Sequence, residues 1–292
     1  MLSRSMSRTV SIVGAGRVGR TLAHRLRKLG WRIGAVVTQS QKTSRVAVRA
    51  IGAGTPHAHL TPQALDADVI LVTTPDSALA GVASRLAQFP RENYRGKIIL
   101  HTSGALDSGV LAPLARRGAS TGSLHPMQTF SGRGTPHLKG VIFAVEGDRA
   151  ALRAAGQIAR SLGGVPVAIR GASKPAYHAA GALVAGHGLA LVEAAARTLT
   201  KLGFSRRRAL QALLPLIRQM LDNYERLGPR AAWTGPISRG DYATVGKHGR
   251  AMRRYPREFA DAYRALAMLS ARVLSNQPAA TRRKIIGALG HS

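Results

Sequence analysis

The stretch SIVGAGRVGR, from Ser11 to Arg20, places three glycines at the spacing G-x-G-x-x-G. The strand-like run TVSIV precedes them, and RVGRTLAHRLRKLG, whose apolar residues recur on one helical face, follows. A strand before the glycines and a helix after them is the context in which this spacing binds the pyrophosphate of a dinucleotide. The stretch therefore predicts a dinucleotide-binding turn, in preference to a glycine-rich turn of some other α/β protein.

Each glycine of this turn has its own expected role. Gly14 permits the tight turn, Gly16 lets the backbone approach the phosphates, and Gly19 lets the helix pack closely on the strand. Amide groups at the start of the helix then face the phosphates, and the helix dipole adds to the attraction. We therefore expect cofactor contacts at Gly14, Ala15, Gly16, Arg17, Val18 and Gly19.

Strand-like and helix-like segments alternate from residue 9 to about residue 169, and strand-like runs are missing after Gly171. Such alternation is typical of a mainly parallel sheet covered by helices. The predicted fold class is thus α/β, an N-terminal Rossmann doubly wound parallel sheet followed by an all-α C-terminal domain. We place the NAD(P)-binding domain at residues 8–170 and the helical domain at residues 171–292. Met1 to Ser7 are interpreted as a frayed tail.

Two long helices are expected in the C-terminal half. PAYHAAGALVAGHGLALVEAAARTLTKLG is apolar nearly all round and rich in Ala and Gly, which predicts a buried helix packed closely against protein. His178, His187 and Glu193 interrupt its apolar run, so we do not expect it to cross a membrane. SRRRALQALLPLIRQMLDNYERLG predicts a second helix, with a kink near Pro215.

The strand that follows the glycine turn ends in VVTQSQKTSR, which contains no carboxylate. A site that prefers NAD usually has Asp or Glu at this point, where it bonds the ribose hydroxyls. Here Thr38 and Ser40 are followed by the cations Lys42 and Arg45. We expect Thr38, Ser40 and Arg45 to contact the cofactor, and NADP to be favoured over NAD. The alternative is that the cations only reflect the basic composition.

Later strand ends add further cofactor contacts, because ligands of open parallel sheets bind at the carboxyl edge. VTTPDSA places Thr73, Thr74 and Pro75 at one strand end, and HTSGA places Thr102 and Ser103 at the next. We expect these residues to line the ribose and nicotinamide, with Ser103 also near the substrate. Each segment alone could be a plain strand-to-helix turn.

Candidate catalytic residues lie at the end of a later strand and at the start of the helical half. His125, in GSLHPMQTF, can polarise a carbonyl or donate a proton near neutral pH. Lys174 and His178, in SKPAYHAAG, share one helical face, and Lys174 is expected to bind or protonate the substrate oxygen. A buried structural histidine and a solvated linker lysine are the competing interpretations. No spacing of ligands supports a metal site.

The loop WTGPISRGD, from Trp233 to Asp241, supplies the remaining candidates. Thr234 and Arg239 are expected to bind the substrate, since a guanidinium can hold a carboxylate through two hydrogen bonds. Asp241 is expected to cap the next helix. A purely structural loop is the alternative.

The composition limits the partners and the compartment. Lys and Arg number 43 against 13 Asp and Glu, which gives a net charge of +30. This charge attracts anions, but the basic residues are scattered and aromatic residues make up only 4%. Nucleic-acid binding is therefore a minor alternative. The absence of cysteine excludes disulfides and a cysteine nucleophile and fits a cytoplasmic protein.

The motifs VGAGRVG, HTSGAL, GSLHPMQTF, KPAYHAAG and TGPISRGD together resemble the 6-phosphogluconate dehydrogenase-like superfamily. They are most similar to a bacterial group of Rossmann-like NADP oxidoreductases with a helical domain of unknown function. The superfamily includes pyrroline-5-carboxylate reductase, 3-hydroxyisobutyrate dehydrogenase and prephenate dehydrogenase. In the hydroxyacid dehydrogenases a lysine early in the first long C-terminal helix is catalytic, and Lys174 looks similar. Where those enzymes have an asparagine one turn later, this chain has His178.

The resemblance implies a function and an assembly. The expected function is an NADP-dependent oxidoreductase that transfers a hydride between the nicotinamide and a small carbonyl, hydroxy acid or imine. The helical domain is expected to serve substrate binding and homodimer formation, with the Ala- and Gly-rich helix at the interface. The alternative is a non-catalytic dinucleotide-binding sensor or assembly protein.

Overall fold

An eight-stranded sheet organises the first half of the chain. The computed structural model describes residues 8–132 and 134–290, so the predicted tail of Met1 to Ser7 lies outside the described residues. The strands are β1 (Thr9–Val13), β2 (Arg32–Val37), β3 (Thr55–His57), β4 (Val69–Val72), β5 (Ile98–His101), β6 (Ser120–Pro126), β7 (Ile142–Gly147) and β8 (Val165–Ala168). Their order in the sheet is β3-β2-β1-β4-β5-β6-β7-β8. All pairs are parallel except β6 with β7.

Eleven α-helices accompany the sheet in the part of the chain that the structure describes. They are α1 (Arg17–Lys28), α2 (Gln41–Ile51), α3 (Asp76–Leu86), α4 (Ala112–Ala115), α5 (Arg149–Ser161), α6 (Lys174–Ala182), α7 (Gly188–Lys201), α8 (Arg206–Ala232), α9 (Tyr242–Met252), α10 (Arg257–Leu274) and α11 (Pro278–Leu289). A π-helical turn at Leu183–His187 joins α6 to α7.

Both faces of the sheet are covered, which explains why the central strand β4 is apolar without interruption. In β4, Leu71 packs into the hydrophobic cluster on the side of α1 and α5, whereas Ile70 and Val72 pack into the cluster on the side of α3. All three side chains are completely buried. Alternate residues of a strand point to opposite faces, so a strand buried on both sides needs apolar residues throughout.

The predicted fold class is confirmed: a mostly parallel Rossmann-type sheet is followed by a helical region. The sequence patterns missed α2, β3 and α11. The segment ALDSGVLAPLARRG, residues 105–118, has a helix-like pattern, but the structure has a 3-10 turn at Ser108–Leu111 followed by the four-residue α4. Asp107 caps the 3-10 turn by accepting a hydrogen bond from the amide of Gly109 at 3.0 Å. Pro113, which has no amide hydrogen, restricts helical hydrogen bonding to the few residues that follow.

The chain divides into two compact units, one ending at Ala185 and one beginning at Gly186. The first contains the sheet, and the second contains only helices among its described residues. The predicted boundary between residues 170 and 171 coincides with the beginning of the helical run at Gly171–Ser173. The division between the two compact units, at Ala185 and Gly186, falls later within the same helical run.

The long helical run Gly171–Lys201 differs from its prediction. It spans 31 residues, its most apolar window has a mean hydropathy of 1.5, and only 6% of that window is buried. By length and composition alone, this run could cross a membrane. This is weak evidence for a membrane span, because a helix covered by protein can have the same length and composition. The expected burial of the helix is not provided by this chain.

The helix α8 contains a break at Gly228, the residue at which the second predicted helix ends. The backbone of α8 leaves the helical conformation at Gly228 (φ 77°, ψ 172°), directly before Pro229. A kink near Pro215 stays a prediction, because a proline can bend a helix while φ and ψ remain helical. Glycine tolerates a positive φ that other residues avoid, and the residue before a proline disfavours the helical conformation.

Candidate active site

A cleft opens at the edge of the sheet where β1, β2 and β4 end. These strands are parallel neighbours, so their carboxyl ends meet at the same edge. The cleft has a volume of about 600 Å³. Predicted cofactor residues that line it are Gly14, Ala15, Gly16, Thr38, Thr73, Thr74 and Pro75. We name it the glycine cleft.

The glycine turn combines a positive φ with close packing. Gly14 has a φ of +90°, and its amide donates a hydrogen bond to the carbonyl of Val37 at 2.8 Å. A Cβ at Gly14 would lie 2.7 Å from the backbone nitrogen of Thr74. A Cβ at Gly19 would collide with the hydroxyl of Thr73, which donates to the Gly14 carbonyl at 2.5 Å. Both positions therefore require glycine.

The residues of the glycine cleft fit the phosphates of a dinucleotide. A Cβ at Gly16 would have no neighbour closer than the Gly14 carbonyl oxygen at 4.0 Å, so the space above this backbone is open. The first turn of α1 contains no acidic residue that would compete for its free amides. The buried hydroxyl oxygen of Thr74 has no hydrogen-bond partner among the described residues. Arg17 is exposed at the start of α1, whereas Val18 packs against the core.

Hydroxyl groups lie at the end of β2, where a site that prefers NAD usually has an acidic residue. The Thr43 hydroxyl oxygen lies 2.6 Å from that of Thr38 and 2.9 Å from that of Ser40. Ser40 also caps α2 by accepting a hydrogen bond from the Thr43 amide. Arg45 is exposed on α2 and does not line the cleft, but Arg85 does. Neither Asp nor Glu occurs among the lining residues that the structure describes.

The turn after β5 is held by the side chain of Ser103. Its hydroxyl donates to a carboxylate oxygen of Asp76 at 2.8 Å and accepts from the amides of Ala105 and Leu106 at 3.2 and 2.9 Å. Ser103 is buried, and these bonds occupy its hydroxyl. Its amide and its carbonyl are paired as well, with His101 and Lys174, so its expected contacts with cofactor and substrate stay a prediction. Thr102 is half-buried beside it, and its amide donates to the carbonyl of Val72.

Lys174 lies inside the first unit and lines neither the glycine cleft nor the cavity described next. Its side chain is fully buried. Its ammonium donates to the carbonyl of Ser103 at 2.9 Å and to the hydroxyl of Ser123 at 2.8 Å. Burial lowers the pKa of Lys174, and the carboxylates nearby, with Glu146 first among them, oppose that shift. Lys174 therefore joins the turn after β5 to β6, which differs from the direct contact with substrate that the sequence predicts.

A second cavity, which we name the histidine cavity, lies where β6 ends and α6 passes. Its volume is about 490 Å³. His125 and His178, both predicted as catalytic, line it together. The other lining residues are Met127, Gln128, Thr129, Ala180, Gly181, Ala182, Val184 and Ala185. No described lining residue is Asp, Glu, Lys or Arg.

His125 is held on several sides. Its ring meets that of Tyr177 edge to face at a centroid distance of 5.4 Å and that of His178 at 5.6 Å. A Cβ added to Gly104 would lie 2.7 Å from Nε2 of His125 and 2.5 Å from Cδ2 of His178. The backbone of Gly104 can approach both imidazoles only because it has no side chain. The HTSGA turn thus forms one wall beside the two histidines.

The buried His101 and the half-buried His125 are both neutral at neutral pH. Burial first, and then the positive charge of Lys174, lower the pKa of His101 to about 4 and the pKa of His125 to about 4. His101 accepts from the amide of Ser103 at Nδ1, and its Nε2 lies 3.1 Å from the carbonyl of Asp107. A carbonyl only accepts, so His101 carries its proton on Nε2. Protonation of His101 would break the bond to Ser103.

Thr234 and Arg239 lie in the second unit, between α8 and α9, and both are exposed. Their loop is a turn in which the amide of Arg239 donates to the carbonyl of Gly235 at 3.3 Å. Asp241 caps α9 by accepting from the amide of Thr244 at 3.0 Å, as expected. Their role in substrate binding stays a prediction. Within residues 8–132 and 134–290, no cluster of three His, Asp or Glu residues could hold a metal ion.

The sequence patterns missed several residues of this site. Asp76 lies in the first turn of α3, where its carboxylate accepts a hydrogen bond from Ser103. Tyr177 was not singled out, although it follows Lys174 by three positions and thus shares its helical face. Ser123 precedes His125 by two positions on one strand face, a spacing that could have pointed to it.

Comparisons with known proteins agree with this fold and define the class. Residues 3–126 match the family model of the Rossmann-like domain, and residues 141–269 match DUF2520, a domain of unknown function. The chain therefore combines a Rossmann-like domain with a C-terminal DUF2520 domain. No curated protein sequence matches the chain.

Several solved structures resemble the chain along nearly its whole length. A Bacteroides fragilis protein described as an NADP oxidoreductase is 23% identical, with a TM-score of 0.74 and coverage of 95% of this chain and 98% of the other. A reductive aminase from Aspergillus terreus in complex with NADPH is 18% identical, with a TM-score of 0.64 and coverage of 91% and 94%. A Plasmodium falciparum pyrroline carboxylate reductase with NADP bound is 14% identical, with a TM-score of 0.57 and coverage of 97% and 98%. At these identities the likeness shows the fold.

Protein stability is expected to increase with pH between about 4 and 6.5. The lower limit is the pKa of His101 and His125 in the folded protein, and the upper limit is the ordinary pKa of histidine. In this interval the unfolded chain binds protons that the folded histidines do not. Acid therefore favours unfolding, by up to about 1.4 kcal/mol per pH unit for each histidine. Above pH 6.5 both states are neutral and this contribution is complete.

Denaturant unfolding of the wild type, His101→Gln and His125→Gln at several pH values measures this slope. Each substitution should make the slope shallower in that interval, whatever its effect on absolute stability. Equal slopes in all three proteins would contradict the shifted pKa values.

Proposed function

We propose that this protein is an NADP-dependent oxidoreductase that transfers a hydride between a nicotinamide and a small carbonyl, hydroxy acid or imine. The observation that carries the proposal is the position of the two cavities along one edge of the sheet. The glycine cleft lies at the ends of β1, β2 and β4, and His125 lies at the end of β6, two strands beyond β4. Neighbouring strands are about 4.8 Å apart, so the cavities are separated by roughly 10 Å in the plane of the sheet.

The residues that would hold the cofactor belong to the glycine cleft. The backbone at Gly14 and Gly16 and the amides at the start of α1 would bind the pyrophosphate. The unpartnered Thr74 hydroxyl would gain a hydrogen bond from the bound dinucleotide. A bound nicotinamide dinucleotide would supply or accept the hydride.

In the histidine cavity, a neutral His125 can donate a hydrogen bond to the oxygen or nitrogen of the substrate. A positioned donor of this kind stabilises the charge that develops there during hydride transfer. The cavity lining described by the structure carries no formal charge apart from any on its histidines. This environment favours a substrate whose reacting end is uncharged and whose other contacts are apolar. His178, beside His125, would contact the same substrate.

A non-catalytic dinucleotide sensor is the alternative function. It would also use the glycine cleft, but it would not need a neutral imidazole in a second cavity along the same edge. The histidine cavity is therefore the feature that favours an enzyme over a sensor.

The replacement His125→Gln tests the enzymatic function. NADPH oxidation by a panel of small ketones, aldehydes and cyclic imines is measured together with the Kd for NADPH. The wild type should turn over at least one substrate, and the variant should lose about 10²- to 10³-fold in kcat, the contribution typical of one preorganised hydrogen-bond donor. The Kd for NADPH should stay unchanged. Wild-type binding of NADPH without any turnover would instead favour the sensor.

The preference for NADP over NAD rests on the acid-free end of β2. Thr38→Asp introduces at the glycine cleft the carboxylate that NAD sites usually have. Repulsion of the 2′-phosphate should raise the Kd for NADPH by about tenfold or more and leave the Kd for NADH equal or lower. Thr55→Asp, on the neighbouring β3 and outside the cleft, makes the same charge change and should alter neither. Equal wild-type affinities for NADPH and NADH would refute the preference.

We also propose a homodimer formed through the apolar helical surface. Val184, Leu189 and Leu216 have exposed fractions of 79%, 70% and 66%. Large apolar side chains grouped on a surface mark interaction sites, and two copies can cover them with the same patch on each. It includes the most apolar window of the helical run Gly171–Lys201, of which the described residues bury only 6%.

Sedimentation equilibrium tests the dimer. The wild type should show the mass of two 30.9 kDa chains, and Leu189→Glu should shift it to one chain because a charge is placed in an apolar interface. Val46→Glu, at an exposed apolar position on α2, should remain dimeric. A monomeric wild type that floats with lipid vesicles would reject the dimer in favour of a membrane partner.

A further inference from the structure

Tyr177 contacts both the ring and the backbone of His125. Its hydroxyl oxygen lies 3.2 Å from Nδ1 of His125 and 3.4 Å from the His125 carbonyl oxygen. The two rings meet at 87°, which places the hydroxyl at the edge of the imidazole. Since β6 fixes the backbone of His125, this contact fixes the side-chain rotation as well.

The other ring nitrogen of His125 faces a different environment. Nε2 lies beside the backbone of Gly104 and has no hydrogen-bond partner in residues 8–132 and 134–290. His125 lines the histidine cavity. A substrate in that cavity can therefore meet Nε2, whereas Nδ1 is occupied by Tyr177.

The location of the imidazole proton decides what Nε2 can do. A neutral imidazole carries one proton, so one nitrogen donates and the other accepts. Burial raises the pKa of the Tyr177 hydroxyl, so this group keeps its proton at neutral pH. The Tyr177 proton has two acceptors within reach, and Nδ1 is the nearer of them. Donation to Nδ1 leaves the imidazole proton on Nε2.

We propose that Tyr177 is a positioning residue that keeps the proton of His125 on Nε2 and that nitrogen directed into the histidine cavity. His125 then presents a hydrogen-bond donor, which is what a carbonyl or imine substrate needs for hydride addition. This deepens the proposed function, and its kinetic consequence rests on that function. The location of the imidazole proton on Nε2 of His125 does not depend on the proposed function.

The replacement Tyr177→Phe removes the hydroxyl and keeps the ring. A matched control is available in the second unit, where the hydroxyl of Tyr263 lies 3.0 Å from Nδ1 of His248 and the two rings meet at 83°. Tyr263→Phe removes the same kind of hydrogen bond at a site outside both cavities.

The direct readout is the ¹⁵N NMR spectrum of the histidines, with His125 assigned by its loss in His125→Gln. The wild type should show His125 with its proton on Nε2, and Tyr177→Phe should show a mixture of both tautomers. Tyr263→Phe should leave the His125 signals unchanged. A wild-type His125 with its proton on Nδ1 would overturn the proposal, even if Tyr177→Phe failed to fold.

The kinetic readout separates positioning from binding. Tyr177→Phe should lower kcat about tenfold, the factor that one hydrogen bond of ordinary strength supplies, with an unchanged Kd for NADPH. Tyr263→Phe should keep the wild-type kcat. If the wild type has no turnover, the proposed function fails, but the NMR result still decides the role of Tyr177. An unchanged tautomer in Tyr177→Phe would also overturn the proposal.

Discussion

The buried ammonium of Lys174 is the constraint on which the candidate active site depends. Moving such a charge out of water costs several kcal/mol, so it persists only where hydrogen bonds and opposite charges compensate. The carbonyl of Ser103 and the hydroxyl of Ser123 supply the bonds. Burial lowers the lysine's pKa, and surrounding carboxylates led by Glu146 oppose the loss of its proton. The turn after β5 and the strand β6 are thereby held together from inside.

The same charge influences the protonation of the site. After burial, the positive charge of Lys174 is the next cause that lowers the pKa of His101 and of His125. A neutral His101 keeps the hydrogen bond from the amide of Ser103, and a neutral His125 can be held in one tautomer by Tyr177. One buried side chain thus acts on both the geometry of the HTSGA turn and the charge state of the histidines beside it.

The sequence predicts those parts of the fold and the site that follow local rules. The glycine spacing with its strand and helix gives the turn at Gly14 to Gly19, and parallel topology places Thr73 and His125 at one edge. The partners of Lys174 lie 51 and 71 positions away in the chain, so its burial depends on contacts that no local pattern contains. The helix α2 escaped notice because QKTSRVAVRAI is mostly polar. β3 has only three residues, too few to show an alternation.

The net charge of the protein does not by itself decide the choice of cofactor. Across the described ranges only three ion pairs form, and all involve exposed side chains, so most of the positive charge is solvated. A field of this kind raises the local concentration of every anion and is screened by salt over about 10 Å. It would attract both NAD and NADP through their shared pyrophosphate, and NADP more strongly because the 2′-phosphate adds negative charge. Short-range contacts at the end of β2, where Thr38 and Thr43 stand in place of a carboxylate, would add to this discrimination. Hydroxyl groups can donate hydrogen bonds to a phosphate group, whereas a carboxylate repels it.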